Sequence, residues 1–74
     1  MTPEDEIVAL AKTRRWARLG VARATREQAQ ISLRELAHSI PTSPSSLSRW
    51  ETGRALPRRE NALAWARLLE ELSR

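Results

Sequence analysis

The sequence has no cysteine, which excludes disulfides and thiolate metal sites. Tyrosine and phenylalanine are absent, and a single histidine, His38, is present. A metal site needs several histidine, cysteine or carboxylate ligands, and that supply is too thin here, so no metal and no cofactor is expected. A Ser-His-acid arrangement needs a histidine positioned by a carboxylate, and no spacing around His38 suggests one, so the reading is not an enzyme. No apolar run approaches the roughly 18 residues of a membrane span, and no signal peptide is visible. The expectation is therefore a cytoplasmic protein without a membrane partner or a small-molecule ligand. Glycine occurs only twice, at Gly20 and Gly53. Ala, Leu, Arg and Glu dominate, a composition that favours helices.

What is abundant is arginine. Twelve of the thirteen cations are Arg, and formal net charge is +4. Between Lys12 and Arg59 lie eleven cations and three carboxylates, Glu27, Glu35 and Glu51. The other acids sit near the ends, at Glu4, Asp5, Glu6, Glu60, Glu70 and Glu71. A basic middle is the electrostatic footprint of nucleic-acid binding, and Arg suits bidentate recognition of phosphate or guanine. A solvated arginine-rich surface is the plain alternative. With 74 residues, a modest core is expected, with stability gained from a partner subunit.

The most informative stretch runs from Thr42 to Gly53. Ser43 can cap a helix, and Pro44 then occupies the first helical position, where its missing N–H costs nothing. Gly53 suits the left-handed cap that stops it. Leu47 and Trp50 face one way, so Trp50 is assigned to the core; Ser45, Ser48, Arg49 and Thr52 face elsewhere. Upstream, Ser32 and Glu35 fit a capping box, and Leu33, Leu36, Ala37 and Ile40 follow helical spacing up to Pro41. Helix, short turn, helix is the helix-turn-helix unit, whose second helix enters the major groove.

These residues carry a resemblance. Ile31-Ser32-Leu33-Arg34-Glu35-Leu36-Ala37, then Ser43 through Gly53, then Pro57, resemble the Cro/CI (XRE-type) helix-turn-helix domain of phage repressors and small bacterial regulators. The similarity covers about residues 18 to 72. It implies an all-α, lambda-repressor-like bundle of four to five helices. Residues 1–17 are expected to form an N-terminal helical extension and 18–74 the DNA-binding domain. A first segment, about Pro3 to Gln30, is bent or broken at Gly20, with the family's first helix at about Arg18 to Ala29. Further helices are expected at about Leu33 to Ile40, Pro44 to Thr52 and Arg58 to Ser73. The expected core is Leu36, Ala37, Ile40, Leu47, Trp50, Leu56, Leu63 and Ala66. Ala37 matches the small residue used where the two helices of the unit cross.

The resemblance also assigns roles. Arg49 falls where relatives touch bases, and a guanidinium can bond O6 and N7 of guanine. Pro44 and Ser45 match positions that often carry glutamine; here a proline offers apolar contact to a thymine methyl and a serine offers a hydroxyl. Ser43 and Ser48 complete the expected base-reading set. With direct readout sparse, part of the specificity is left to DNA shape. Leu33 stands where a phosphate-bonding glutamine is common, so Ser32, Arg34 or the adjacent helix N-terminus takes over. Thr42, Thr52, Arg54 and Arg58 are further phosphate candidates, though each hydroxyl serves equally well as a cap. Arg26 and Glu51 match positions of a structural ion pair between the first and third family helices.

The expected function is a sequence-specific double-stranded DNA-binding transcription regulator, a repressor, acting as a homodimer on half-sites one helical turn apart, about 34 Å. The alternative is a protein-interaction or antitoxin-like module with secondary DNA binding, favoured by the apolar residues Leu63, Trp65, Leu68, Leu69 and Leu72 and by the segment Ile7 to Trp16. A membrane- or RNA-binding helix over residues 7–22 is disfavoured, because its apolar face is poor in large residues. The fifth helix that many relatives use for dimerisation has no evident counterpart, so the dimer surface does not carry over.

Overall fold

Thr2 and Asp5 close the first helix start. The Thr2 hydroxyl accepts from the Asp5 N–H at 3.1 Å, and the Asp5 carboxylate accepts from the Thr2 N–H at 3.2 Å. The computed structural model describes residues 2–74 and, among them, contains five helices and no strand. α1 spans Pro3–Arg18, α2 Val21–Gln28, α3 Leu33–Ser39, α4 Pro44–Glu51 and α5 Arg59–Leu72. Each of the expected helix limits from α3 onward lies within one residue of these.

Local chemistry explains the breaks. Gly20 takes a left-handed φ of 78°, so the first segment is two helices rather than one bent helix. α2 ends in a Schellman motif: Ile31 N–H donates to the Arg26 carbonyl and Gln30 N–H to the Glu27 carbonyl. Gln30 fills the left-handed position there, with φ 60°. The same motif ends α4, with Gly53 at φ 74° and Arg54 N–H donating to the Arg49 carbonyl at 2.9 Å. Ser32 and Glu35 form the reciprocal capping box of α3, and Ser43 caps α4 ahead of Pro44.

α1 lies mainly against α5, and also against α2 and α4; α3 packs on α4 and α2 on α5. Glu6 of α1 pairs with Arg59 at the start of α5. The core joins Ala17, Ala22, Leu36, Ala37, Ile40, Leu47, Trp50, Trp65 and Leu69. Trp50 and Trp65 meet with ring centroids 5.7 Å apart and planes at 49°, a tilted arrangement that aromatic pairs favour.

Three core expectations need correction. Leu56 is 66% exposed, and Leu63 and Ala66 are only half-buried. Leu56 lies in the loop between α4 and α5, where no helical face aims it inward. α5 instead turns Ala62, Trp65 and Leu69 toward the other helices, a stripe at i, i+3 and i+7. Leu10 and Ala17 of α1 form the answering stripe, with the buried Thr13 hydroxyl donating to the Ala9 carbonyl at 2.8 Å.

Candidate nucleic-acid interface

α4 is divided by its own periodicity. Leu47, Trp50 and Glu51 are buried, while Pro44, Ser45 and Arg49 are exposed and Ser48 is half-buried. Pro44, Ser45, Ser48 and Arg49 line one shallow surface depression together with Leu33 from the first turn of α3. The depression therefore offers a guanidinium, two hydroxyls and two apolar groups within one patch. That mixture suits base edges: Arg bonds guanine, hydroxyls accept or donate, and apolar groups meet a thymine methyl. Leu33, which cannot bond phosphate, lies with Pro44 in this depression and adds an apolar group to it.

The segment that forms the patch is poor in carboxylates. No carboxylate occurs between Glu35 and Glu51. Glu51 is buried, and Glu35 is tied to the α3 cap. The Ser32 N–H donates to the Glu35 carboxylate at 2.9 Å and the Ser32 hydroxyl accepts from the Glu35 N–H at 3.0 Å. The Ser32 backbone bond, then its side chain, hold the Glu35 carboxyl below its usual range. Arg34, Arg54 and Arg58 are exposed.

Hydroxyl bookkeeping sorts the remaining candidates. Ser43 accepts from the Ser46 N–H and donates to the Ser46 hydroxyl, both at 3.0 Å. Thr52 donates to the carbonyls of Ser48 and Arg49 at 3.1 and 3.2 Å. A phosphate oxygen needs a donor, and each of these hydroxyls has only one proton. Ser43 and Thr52 are thus taken up in the two ends of α4. Ser32 is an acceptor in its cap, which leaves its O–H free to donate outward. Thr42 is half-buried in the turn, its N–H donating to the Ala37 carbonyl.

α4 is oriented from behind. Arg26 of α2 reaches Glu51 with Nε 2.7 Å from Oε2 and Nη2 3.1 Å from Oε1, both side chains buried. Its Nη1 donates to the Ile31 carbonyl at 2.9 Å, which also ties down the loop between α2 and α3. The hydrogen bond to Glu51 and its charge raise the Arg26 pKa against the opposing effect of burial.

A sequence profile described as helix-turn-helix matches residues 23–73. The chain belongs to the helix-turn-helix family of the Cro/CI (XRE) type. No curated protein and no solved structure matches it. This helix-turn-helix protein is accordingly a DNA-binding regulator, with α3 and α4 as the unit's two helices. The matched region begins inside α2 and leaves α1 outside it. His38 is exposed on α3, away from any cluster; among the described residues no group of three or more His, Cys, Asp or Glu could hold a metal ion. Among them, too, no helix is long and apolar enough to cross a membrane.

Proposed function

We propose that this helix-turn-helix protein is a sequence-specific transcriptional repressor that lays α4 in the major groove and binds an inverted repeat as a homodimer. The observation that carries the reading is the exposed, acid-free face of α4, with Pro44, Ser45, Ser48 and Arg49 opposite the buried Leu47, Trp50 and Glu51. Arg49 reads guanine; Ser45 and Ser48 supply adaptable hydrogen bonds; Pro44 touches a thymine methyl. Ser32, Arg34, Thr42, Arg54 and Arg58 bind phosphates and set the register of the protein on the duplex. Repression follows from occlusion of polymerase at the bound site. Residues 18–74 form the DNA-binding domain and residues 1–17 its N-terminal helical extension, in keeping with a family match that starts at residue 23.

The test is selection from random duplex DNA, then titration of the best site against a scrambled duplex for the wild type and Arg49→Ala. The expected result is an enriched palindrome bound at least about 10³-fold tighter than scrambled DNA, with that preference relaxed by Arg49→Ala. Equal, salt-sensitive binding to both duplexes would overturn the reading in favour of a protein-interaction module.

A further inference from the structure

α1 shows two different faces. Leu10, Thr13 and Ala17 turn inward. Positions 4, 8, 11 and 15, spaced alternately by four and three residues, make a straight seam on the opposite side. These are Glu4, Val8, Ala11 and Arg15, all exposed. Val8 is 65% exposed, and Ile7 beside it 66%. Ile7, Val8, Ala11 and Arg15 line a shallow surface depression with Lys12 and Trp16. Ile7, Val8 and Ala11 thus form a small contiguous apolar strip on this face.

The charges say what covers it. Among the described residues, Glu4 has no cationic partner and Arg15 no carboxylate partner. The seam is acidic at its start, apolar in its middle and basic at its end. Such a strip is complementary to itself turned end for end, which is the requirement of a two-fold interface.

We propose that α1 pairs with α1 of a second copy, antiparallel, about a two-fold axis passing between Val8 and Ala11. Val8 packs on the partner's Ala11, and Ala11 on the partner's Val8. Glu4 meets the partner's Arg15 at one end, and Arg15 meets the partner's Glu4 at the other. Ala11 is small enough to let the helices approach closely, and Ile7 covers the flank of the two apolar layers. The antiparallel arrangement also sets the positive end of each helix dipole beside the negative end of the other. α1 has 16 residues, a length of about 24 Å. A single helix pair of that length falls short of the roughly 1,200–2,000 Å² of a standard stable interface. The free dimer is therefore weak, and adjacent half-sites on one duplex strengthen it by raising effective concentration. This inference deepens the dimeric-repressor reading and rests on it for its purpose, but the contact itself is measured without DNA.

The experiment is sedimentation equilibrium of the full chain at low salt, from micromolar to millimolar, for wild type, Glu4→Arg, Arg15→Glu and the double variant that swaps the two charges. Wild type is expected to double in mass with concentration. Each single variant sets like charges against each other at both ends of the seam and weakens association by about tenfold or more. The swap restores opposite charges and returns association to near wild type. Circular-dichroism melts identify any variant that has lost its helices. A wild type that stays monomeric throughout, or a swap as weak as the single variants, overturns the proposal and hands this face to some other occupant. An enriched palindrome with a monomeric free protein would sink the α1 pair alone; a charge-swappable dimer with no specific DNA site would sink the repressor reading alone.

Discussion

Arg26 holds Glu51 with two nitrogens of one guanidinium, and both side chains are nearly sealed from water, at 7% and 5% exposure. The pair joins the last turn of α2 to the last residue of α4. A fork-to-carboxylate contact fixes direction as well as distance, so it sets the roll of α4 about its own axis.

Removing one partner strands a buried charge. Glu51→Ala is expected to lower stability by about 3 kcal/mol or more. The paired change Arg26→Met with Glu51→Leu should cost less than Glu51→Ala, because neither charge is left alone. Urea unfolding of the three variants checks this, and a Glu51→Ala midpoint equal to wild type would show that the pair adds nothing.

Ala37 is 1% exposed and lies in α3, which packs on α4. Leucine at this position overfills the crossing. Ala37→Leu is expected to cost about 1–3 kcal/mol and to spread the two helices. Thermal melting gives the first number; a loss of DNA affinity beyond what partial unfolding explains would report the changed angle. An unaltered melting temperature would mean that the crossing has spare room.

The α3 cap carries a pH dependence. Ser32 holds the Glu35 carboxyl below its ordinary value of 4.5. A carboxyl whose folded value is depressed stabilises the fold above its unfolded value, and that contribution is lost as pH falls through the folded one. Glu35→Gln cannot titrate. The stability gap between wild type and Glu35→Gln is therefore expected to be widest near pH 6 and to close below about 4.5. Urea midpoints at several pH values measure it; a gap independent of pH would show that the carboxylate form contributes nothing to the cap.

Arg34 and Ser45 are expected to fail in different ways on DNA. If Arg34 binds phosphate as proposed, Arg34→Ala makes the slope of log K against log salt shallower by about 0.9 while sequence preference stays. Ser45→Ala leaves the slope and flattens preference at one base position. Titrations at a series of salt concentrations separate the two. A shallower slope for Ser45→Ala with unchanged preference would move it to the backbone-contacting set.

Features set by neighbours in the chain were legible without coordinates. Ser32 with Glu35, Ser43 with Pro44, and Gly53 are cap chemistry within a few residues, and they bracket α3 and α4 to within one position. The outward side of α4 follows from Leu47 and Trp50 by periodicity. Features set by distant partners were not legible. Gly20 could have been a bend or a break until its backbone angle was known. Leu56 and Trp65 are both large and apolar; Leu56 falls in the loop between α4 and α5 and is exposed, while α5 turns Trp65 inward to 1% exposure. For Thr52 the sequence leaves ligand and cap equally open, and only the structure shows its hydroxyl donating to the Ser48 and Arg49 carbonyls. The seam through Glu4, Val8, Ala11 and Arg15 emerges only once Leu10, Thr13 and Ala17 are known to point inward.

The tilted stack of Trp50 on Trp65 makes the fold its own optical reporter. With tyrosine absent, near-ultraviolet emission comes from three indoles alone. One of the stacked pair sits on the hidden side of α4 and the other on α5, with centroids 5.7 Å apart. Any tilt of α4 against α5 changes the spacing and environment of two of the three fluorophores at once. Movement of that helix on a duplex can thus be followed by its own light, with no label attached to its outward surface.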